Sequence, residues 1–213
     1  VKNEHLVIEE KGIYSIEKFL MARRLMYWQV YLHKTVISAE VMLIATLKRA
    51  SYLSQKGISI PTSEELNYFL NKSKGLSDIL SDDKFLKNYV ALDDMDILWM
   101  IKKSVQHEDY IFRDLCSSLL HRKLFKVYTD QSPDSKILWD QRKKDFLLHH
   151  PIAKEDLKYY FFEKTETIRQ YNPTEGEIQI LMKSGEVKPL SEINSSLFTT
   201  SETRTFWFYP QDN

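Results

Sequence analysis

A single cysteine, Cys116, excludes an internal disulfide and fits a reducing compartment, so a cytoplasmic protein is expected. Glycine is scarce, five in 213 residues, and neither glycine nor proline occurs between Ile13 and Lys56. Net charge is also missing: 30 basic side chains face 30 acidic ones, which argues against a broad surface for duplex nucleic acid and leaves local pockets open. The longer apolar runs, such as Val41 to Ala45, are far too short to span a bilayer, and no membrane partner is expected. The start, Val1-Lys-Asn-Glu-His5, has no apolar signal-peptide core. No internal repeat or low-complexity tract is present.

What is there suits a packed core. Hydrophobic residues make up 43% and aromatics 13%, which excludes a disordered chain. Tyr14 to about Gln55 reads as one long helix, with Gly57 placed as its stop. Ile16, Leu20, Tyr27, Val30, Ile37, Val41 and Ile44 recur at spacings of three and four, the period of one buried stripe. Arg23, Tyr27, Tyr31 and Lys34 fall within roughly 80° of one another on that stripe, while His33 projects toward a neighbouring face. A buried cation needs a partner. For Arg23 and Lys34 that partner is either a carboxylate of this chain or an anionic ligand such as phosphate, and spacing does not choose between them.

Residues 4–10 suit a short strand, frayed or paired with another chain. Pro61, Ser63 and Glu65 begin a helix running to about Asn71, and 72–77 form a polar connector. Asp82-Asp83 and Asp93-Asp94 cap two further helices, and Tyr110 to Leu120 forms another. Composition then shifts. Leu124–Tyr128, Leu157–Phe162, Glu177–Lys183 and Thr203–Tyr209 are strand-like, Ser132 to His149 is helical, and Ser184-Gly185 is a tight turn before one helical turn at Pro189–Ile193. The expected fold is mostly α with a C-terminal α+β layer: a long helix in a helical bundle over 1–122, then a small antiparallel split-βαβ-like domain over 123–213.

Several groups invite a chemical reading and have a plainer one. His107-Glu108-Asp109 lacks the spacing of a metal set and reads as a cap by Asp109. Asp93, Asp94 and Asp96 read as another cap. His149-His150 reads as a solvated helix end, Arg142-Lys143-Lys144 as a solvated face, Cys116 as packing, and Tyr159 to Phe162 as a buried strand or a subunit contact.

The spacing Arg23, Tyr27, Tyr31, His33, Lys34 resembles the R-x-x-x-[HY]-x-x-x-Y-x-H-K helix of HD-domain phosphohydrolases, in particular the deoxynucleoside triphosphate triphosphohydrolase branch. The preceding Val7-Ile-Glu-Glu-Lys-Gly-Ile-Tyr-Ser-Ile-Glu-Lys18 resembles the segment leading into that helix, and Leu92 to Trp99 with Leu119 to Lys126 resemble the family's C-terminal half. The H…HD…D metal motif is not here. A likeness that begins in mid-domain, in a chain starting without Met, reads as a fragment or processed form.

The resemblance implies that Arg23 clamps phosphate, Tyr27 orients it and Tyr31 forms a platform for the sugar. Lys11, His33 and Lys34 match positions that touch an effector nucleotide at a subunit interface, which implies a homo-oligomer. Leu32 stands where Gln is common, and Glu9 where an arginine is expected. The resemblance thus implies the C-terminal part of a metal-dependent HD phosphohydrolase acting on nucleoside triphosphates or related phosphate esters. Its divalent or transition metal would be held outside this chain, which carries no metal ligands and no catalytic residue of its own. An oligomerisation or regulatory module, and a non-catalytic binding domain, are the alternatives.

Overall fold

The structure is a computed structural model that describes residues 6–71, 83–129, 133–169, 176–193 and 201–211. The chain is mostly helical, with two three-stranded sheets completed by its C-terminal half. The connector expected at 72–77 and the cap at Asp82 lie outside the described residues. Among those described, no single helix is long and apolar enough to cross a membrane. Contacts divide the chain into one unit from 1–36 with 164–205 and a second from 37–163 with 206–213.

The first unit begins with β1 (Val7–Glu9), which pairs in parallel with β4 (Gln179–Leu181) of the same chain, Ile8 opposite Ile180. The expected loose or intermolecular arm is therefore an internal strand. β4 turns through Gly185, at φ 85°, into β5 (Val187–Pro189), and α8 (Leu190–Ile193) follows at once; these two helical and strand predictions fall within a residue or two of the observed bounds. α1 (Ile13–Met26) lies on this sheet by Leu20, which is buried with Ile180 and Leu190, while Ile13 and Ile16 pack around them. β3 (Phe162–Arg169) and β6 (Ser201–Tyr209) are neighbours in a sheet, and Thr165 and Thr167 meet Thr205 and Thr203 across them.

In the second unit, α2 (Lys34–Gln55) is the central rod from Ile37 onward. Its buried positions Ile37, Ser38, Val41, Met42, Ala45, Thr46, Arg49, Ala50 and Leu53 form a true helical face. Ser38 lets a neighbour come close, its Oγ donating to the Phe125 carbonyl at 2.8 Å, while Thr46 Oγ1 is satisfied within the helix by the Met42 carbonyl. α2 ends in a Schellman motif, in which Ile58 N–H reaches the Leu53 carbonyl and Gly57 N–H that of Ser54, with Gly57 at φ 76°.

Against α2 pack α3 (Glu64–Leu70), α5 (Asp94–Lys103) and α6 (Tyr110–Leu120), with Leu66, Leu70, Met100, Ile101, Phe112 and Cys116 in one core. α4 (Asp83–Ala91) lies between α3 and α5 in the chain. The expected caps form: Ser63 accepts from Leu66 N–H, Asp93 and Asp96 make a reciprocal capping box, and Asp109 accepts from Phe112 N–H.

β2 (Lys126–Tyr128) pairs antiparallel with β6, Tyr128 opposite Trp207, and α7 (Pro133–His149) packs aromatic side chains beside it. Trp139 of α7 stacks on Trp207, with ring centroids 6.0 Å apart and planes 24° from parallel. The strand expected over Leu157–Phe162 is instead a 3-10 turn at Lys154–Tyr159 that buries Tyr159, Tyr160 and Phe161 before β3 begins. The expected mostly-α fold with α+β structure toward the C-terminus holds, its strands divided between two sheets, with β4 and β5 joining β1 and β2, β6 and β3 forming the other.

Candidate functional site

The helix that carries the predicted residues is not continuous. After α1 the backbone widens into one π turn, Tyr27–Tyr31, with Leu32 N–H bonded to the Tyr27 carbonyl at 2.8 Å, and it breaks before α2. A π turn holds an extra residue, so the phase of the apolar stripe slips there. Leu20, Ile37 and Val41 are buried as the stripe requires, but Tyr27, Val30 and Ile44 are exposed.

Arg23 is exposed as well, so burial does not force a partner on it. Its guanidinium carbon sits 5.6 Å from the centre of the Tyr27 ring, a cation–π distance. Tyr27 and Tyr31 follow with centroids 5.3 Å apart and planes tilted by 51°. The three side chains form an open row of one cation and two phenols, and among the described residues no carboxylate pairs with Arg23. Such a row can bind an anion at its basic end and a ring or sugar along its aromatic edge.

The remaining predicted residues are placed separately. Lys11 Nζ lies 2.6 Å from Glu9 Oε2, both well exposed. The hydrogen bond and charge of Lys11 lower the Glu9 carboxyl, and Glu9 raises Lys11 in return. His33 Nδ1 accepts from Thr35 N–H at 3.3 Å and its carbonyl accepts from Val36, so it helps begin α2. Lys34 is the exposed first residue of that helix.

The buried cation that sequence periodicity sought is Arg49. It is 9% exposed and bonds Asp109 through Nε and Nη2 and Asp156 through Nη1, with the rings of Tyr52 and Tyr159 each 5.1 Å away. Asp109 is thus both a cap and half of an ion pair. His107 joins it through Nδ1, which accepts from Asp109 N–H, while Nε2 meets the Ser59 carbonyl. Two further expectations change. His150 is no solvated end, since it stacks on Phe146 at 3.9 Å and bonds the Tyr110 hydroxyl. Arg142 and Lys143 are no solvated face, since they lie over the rings of Tyr209 and Trp139. Among the described residues no group of three or more His, Cys, Asp or Glu side chains could hold a metal ion.

Residues 1–65, which include Arg23, Tyr27, Tyr31, His33 and Lys34, match the family model described as the HD associated region. The chain is 29% identical over 227 residues to the uncharacterized protein YwfO of Bacillus subtilis, covering 99% of this chain and 48% of that protein. A crystal structure of a phosphohydrolase from Bacteroides thetaiotaomicron is 33% identical, with a TM-score of 0.90 over 99% of this chain and 53% of its own. A hypothetical protein from Aquifex aeolicus, 19% identical at a TM-score of 0.57 over 99% of this chain and 45% of its own, shares the fold alone. The chain spans about half the length of these relatives. Together they show a likeness to the HD associated region over residues 1–65 and a fold shared with a phosphohydrolase.

Proposed function

We propose that this chain is the phosphate-binding part of a metal-dependent HD phosphohydrolase acting on nucleoside triphosphates, as dNTP triphosphohydrolases do, or on related phosphate esters. The carrying observation is the row Arg23–Tyr27–Tyr31: an exposed guanidinium stacked on one phenol and followed by another, inside the HD associated region. Arg23 supplies a planar fork for phosphate oxygens, Tyr27 orients them, and Tyr31 offers a surface to the sugar. The divalent or transition metal that activates water is assigned to residues outside this chain. Lys34 and His33, which follow the π turn at the start of α2, are assigned to an effector nucleotide, with Lys11 released from Glu9 when it takes part.

The test is turnover of dNTPs with Mn²⁺ by the full-length protein and by the 213-residue chain alone. Hydrolysis by the former that falls when Arg23 is replaced supports the reading. Robust hydrolysis by the chain alone overturns it.

A second reading, an assembly module of a cytoplasmic homo-oligomer, rests on α1 and its π turn. There Phe19, Leu25, Met26 and Val30 are exposed at 61%, 48%, 48% and 53%. A strictly monomeric species in sedimentation at high concentration would remove it.

A further inference from the structure

α5 is apolar on two opposite sides, and among the described residues the chain covers one of them. At 100° per residue, Ile97, Met100 and Ile101 share an arc of about 100° and pack into the core with Leu66, Leu70, Phe112 and Cys116. Met95, Leu98 and Trp99 share the arc facing away from it, and they are exposed at 66%, 48% and 45%. A helix that is hydrophobic all round is normally buried all round. α4 repeats the spacing: Phe85 is buried beside Tyr68 and Phe69, while Leu86, Tyr89 and Val90 are exposed. Only Leu92 and Asp93 separate the two helices, so one standard interface, about 800 Å² on each partner, can reach both stripes. Both helices lie wholly within the second unit.

The charges around the α5 stripe identify its partner. Asp94 and Asp96 lie in the first turn, and Lys102 and Lys103 in the last. The helix dipole accounts for that order of charges, but not for the apolar stripe between them. Lys102 stands in line with Met95, Leu98 and Trp99, Asp94 stands beside that line, and Lys103 shares a flank with Asp96. A face with acids at one end and bases at the other is complementary to itself turned end for end, which is what a two-fold contact requires. An antiparallel pair centred between Leu98 and Trp99 sets Met95 level with the partner's Lys102, and Asp94 one residue from it. A partner of uniform charge, nucleic acid included, would be repelled at one end.

We propose that the Met95–Leu98–Trp99 face of α5 pairs antiparallel with the same face of a second copy of this chain. Leu98 and Trp99 form the desolvated centre, and the acids and lysines meet at the rim, where they fix the direction of pairing. The contact is separate from the exposed side of α1, and neither needs the other.

Disulfide trapping on the full-length protein tests it. Leu98→Cys lies next to the two-fold axis and should join two chains under mild oxidation, against the background of the unsubstituted protein, in which Cys116 is buried. Ile137→Cys, at an exposed position on α7, should stay at that background. In sedimentation, Leu98→Glu should weaken self-association about tenfold or more, with the helical circular dichroism unchanged. Lys102→Glu should weaken it about fivefold, and adding Asp94→Lys should restore it. Phe19→Glu, on α1, should leave trapping through Leu98→Cys unaltered, which separates this contact from the assembly reading above. Trapping at Leu98→Cys no higher than at Ile137→Cys overturns the proposal and gives the face to another part of the full-length protein or to an unlike partner. Self-association indifferent to Leu98→Glu, or a failure of Asp94→Lys to rescue Lys102→Glu, overturns it equally.

Discussion

Arg49 holds Asp109 through two near-parallel hydrogen bonds, Nη2 to Oδ2 at 2.6 Å and Nε to Oδ1 at 3.1 Å, and the same carboxylate caps α6. One side chain thus neutralises a buried cation and begins a core helix. Asp109→Ala removes both contributions and strands the guanidinium with Asp156 alone. A loss of about 3 kcal/mol is expected in urea unfolding, more than the roughly 1 kcal/mol of a cap by itself.

The same pair sets an acid limit. Burial alone would raise the Asp109 carboxyl, but hydrogen bonds from Arg49 and Phe112 N–H, with the charges of Arg49 and His107, hold it below the ordinary range. The folded carboxyl thus takes a proton less readily than the unfolded one. Its contribution is fully present above the unfolded value of about 3.9 and is lost as pH falls through the lower folded value. Urea midpoints measured down a pH series should drop below about pH 4, and Asp109→Asn should flatten part of that fall.

Arg122 ends α6 at φ 57°, with Lys123 N–H on the Ser118 carbonyl and its own N–H on that of Leu119. This is a glycine position filled by a side chain. Arg122→Gly should stabilise the chain by about 1 kcal/mol, read as a higher urea midpoint at unchanged slope.

Cys116 is fully buried, and burial pushes its thiol up to about 12. Ellman's reagent at about pH 8 should leave it unmodified in the native state and react promptly once urea unfolds the chain.

Arg23 is exposed, so Arg23→Ala should change stability by no more than about 0.5 kcal/mol. Under the proposed function it should lower kcat/KM of the full-length protein about tenfold or more. Loss of stability without loss of activity would reverse the assignment.

The caps were legible because a cap is local: Ser63, Asp93 and Asp109 each bind an N–H two or three residues away. The row Arg23, Tyr27, Tyr31 was legible as a spacing, and its exposure was not. Tyr27 to Tyr31 contains no residue that breaks a helix, yet the backbone admits an extra residue there and the stripe counted across it loses phase. Arg49 was missed because Lys48-Arg49 reads as a surface pair, and its acids lie 60 and 107 residues away. The turn at Lys154–Tyr159 and the aromatics after it read as a strand because bulky aromatics favour extended backbone until tertiary burial decides otherwise.

The indoles of Trp139 and Trp207, stacked with planes 24° from parallel and so able to couple with a chiral twist, have an optical consequence. Two like chromophores at that separation share their excitation, so the native protein should carry an exciton couplet in circular dichroism. Replacing either tryptophan by phenylalanine should abolish the couplet while leaving the helical bands in place, giving a spectroscopic marker for the α7–β6 junction alone.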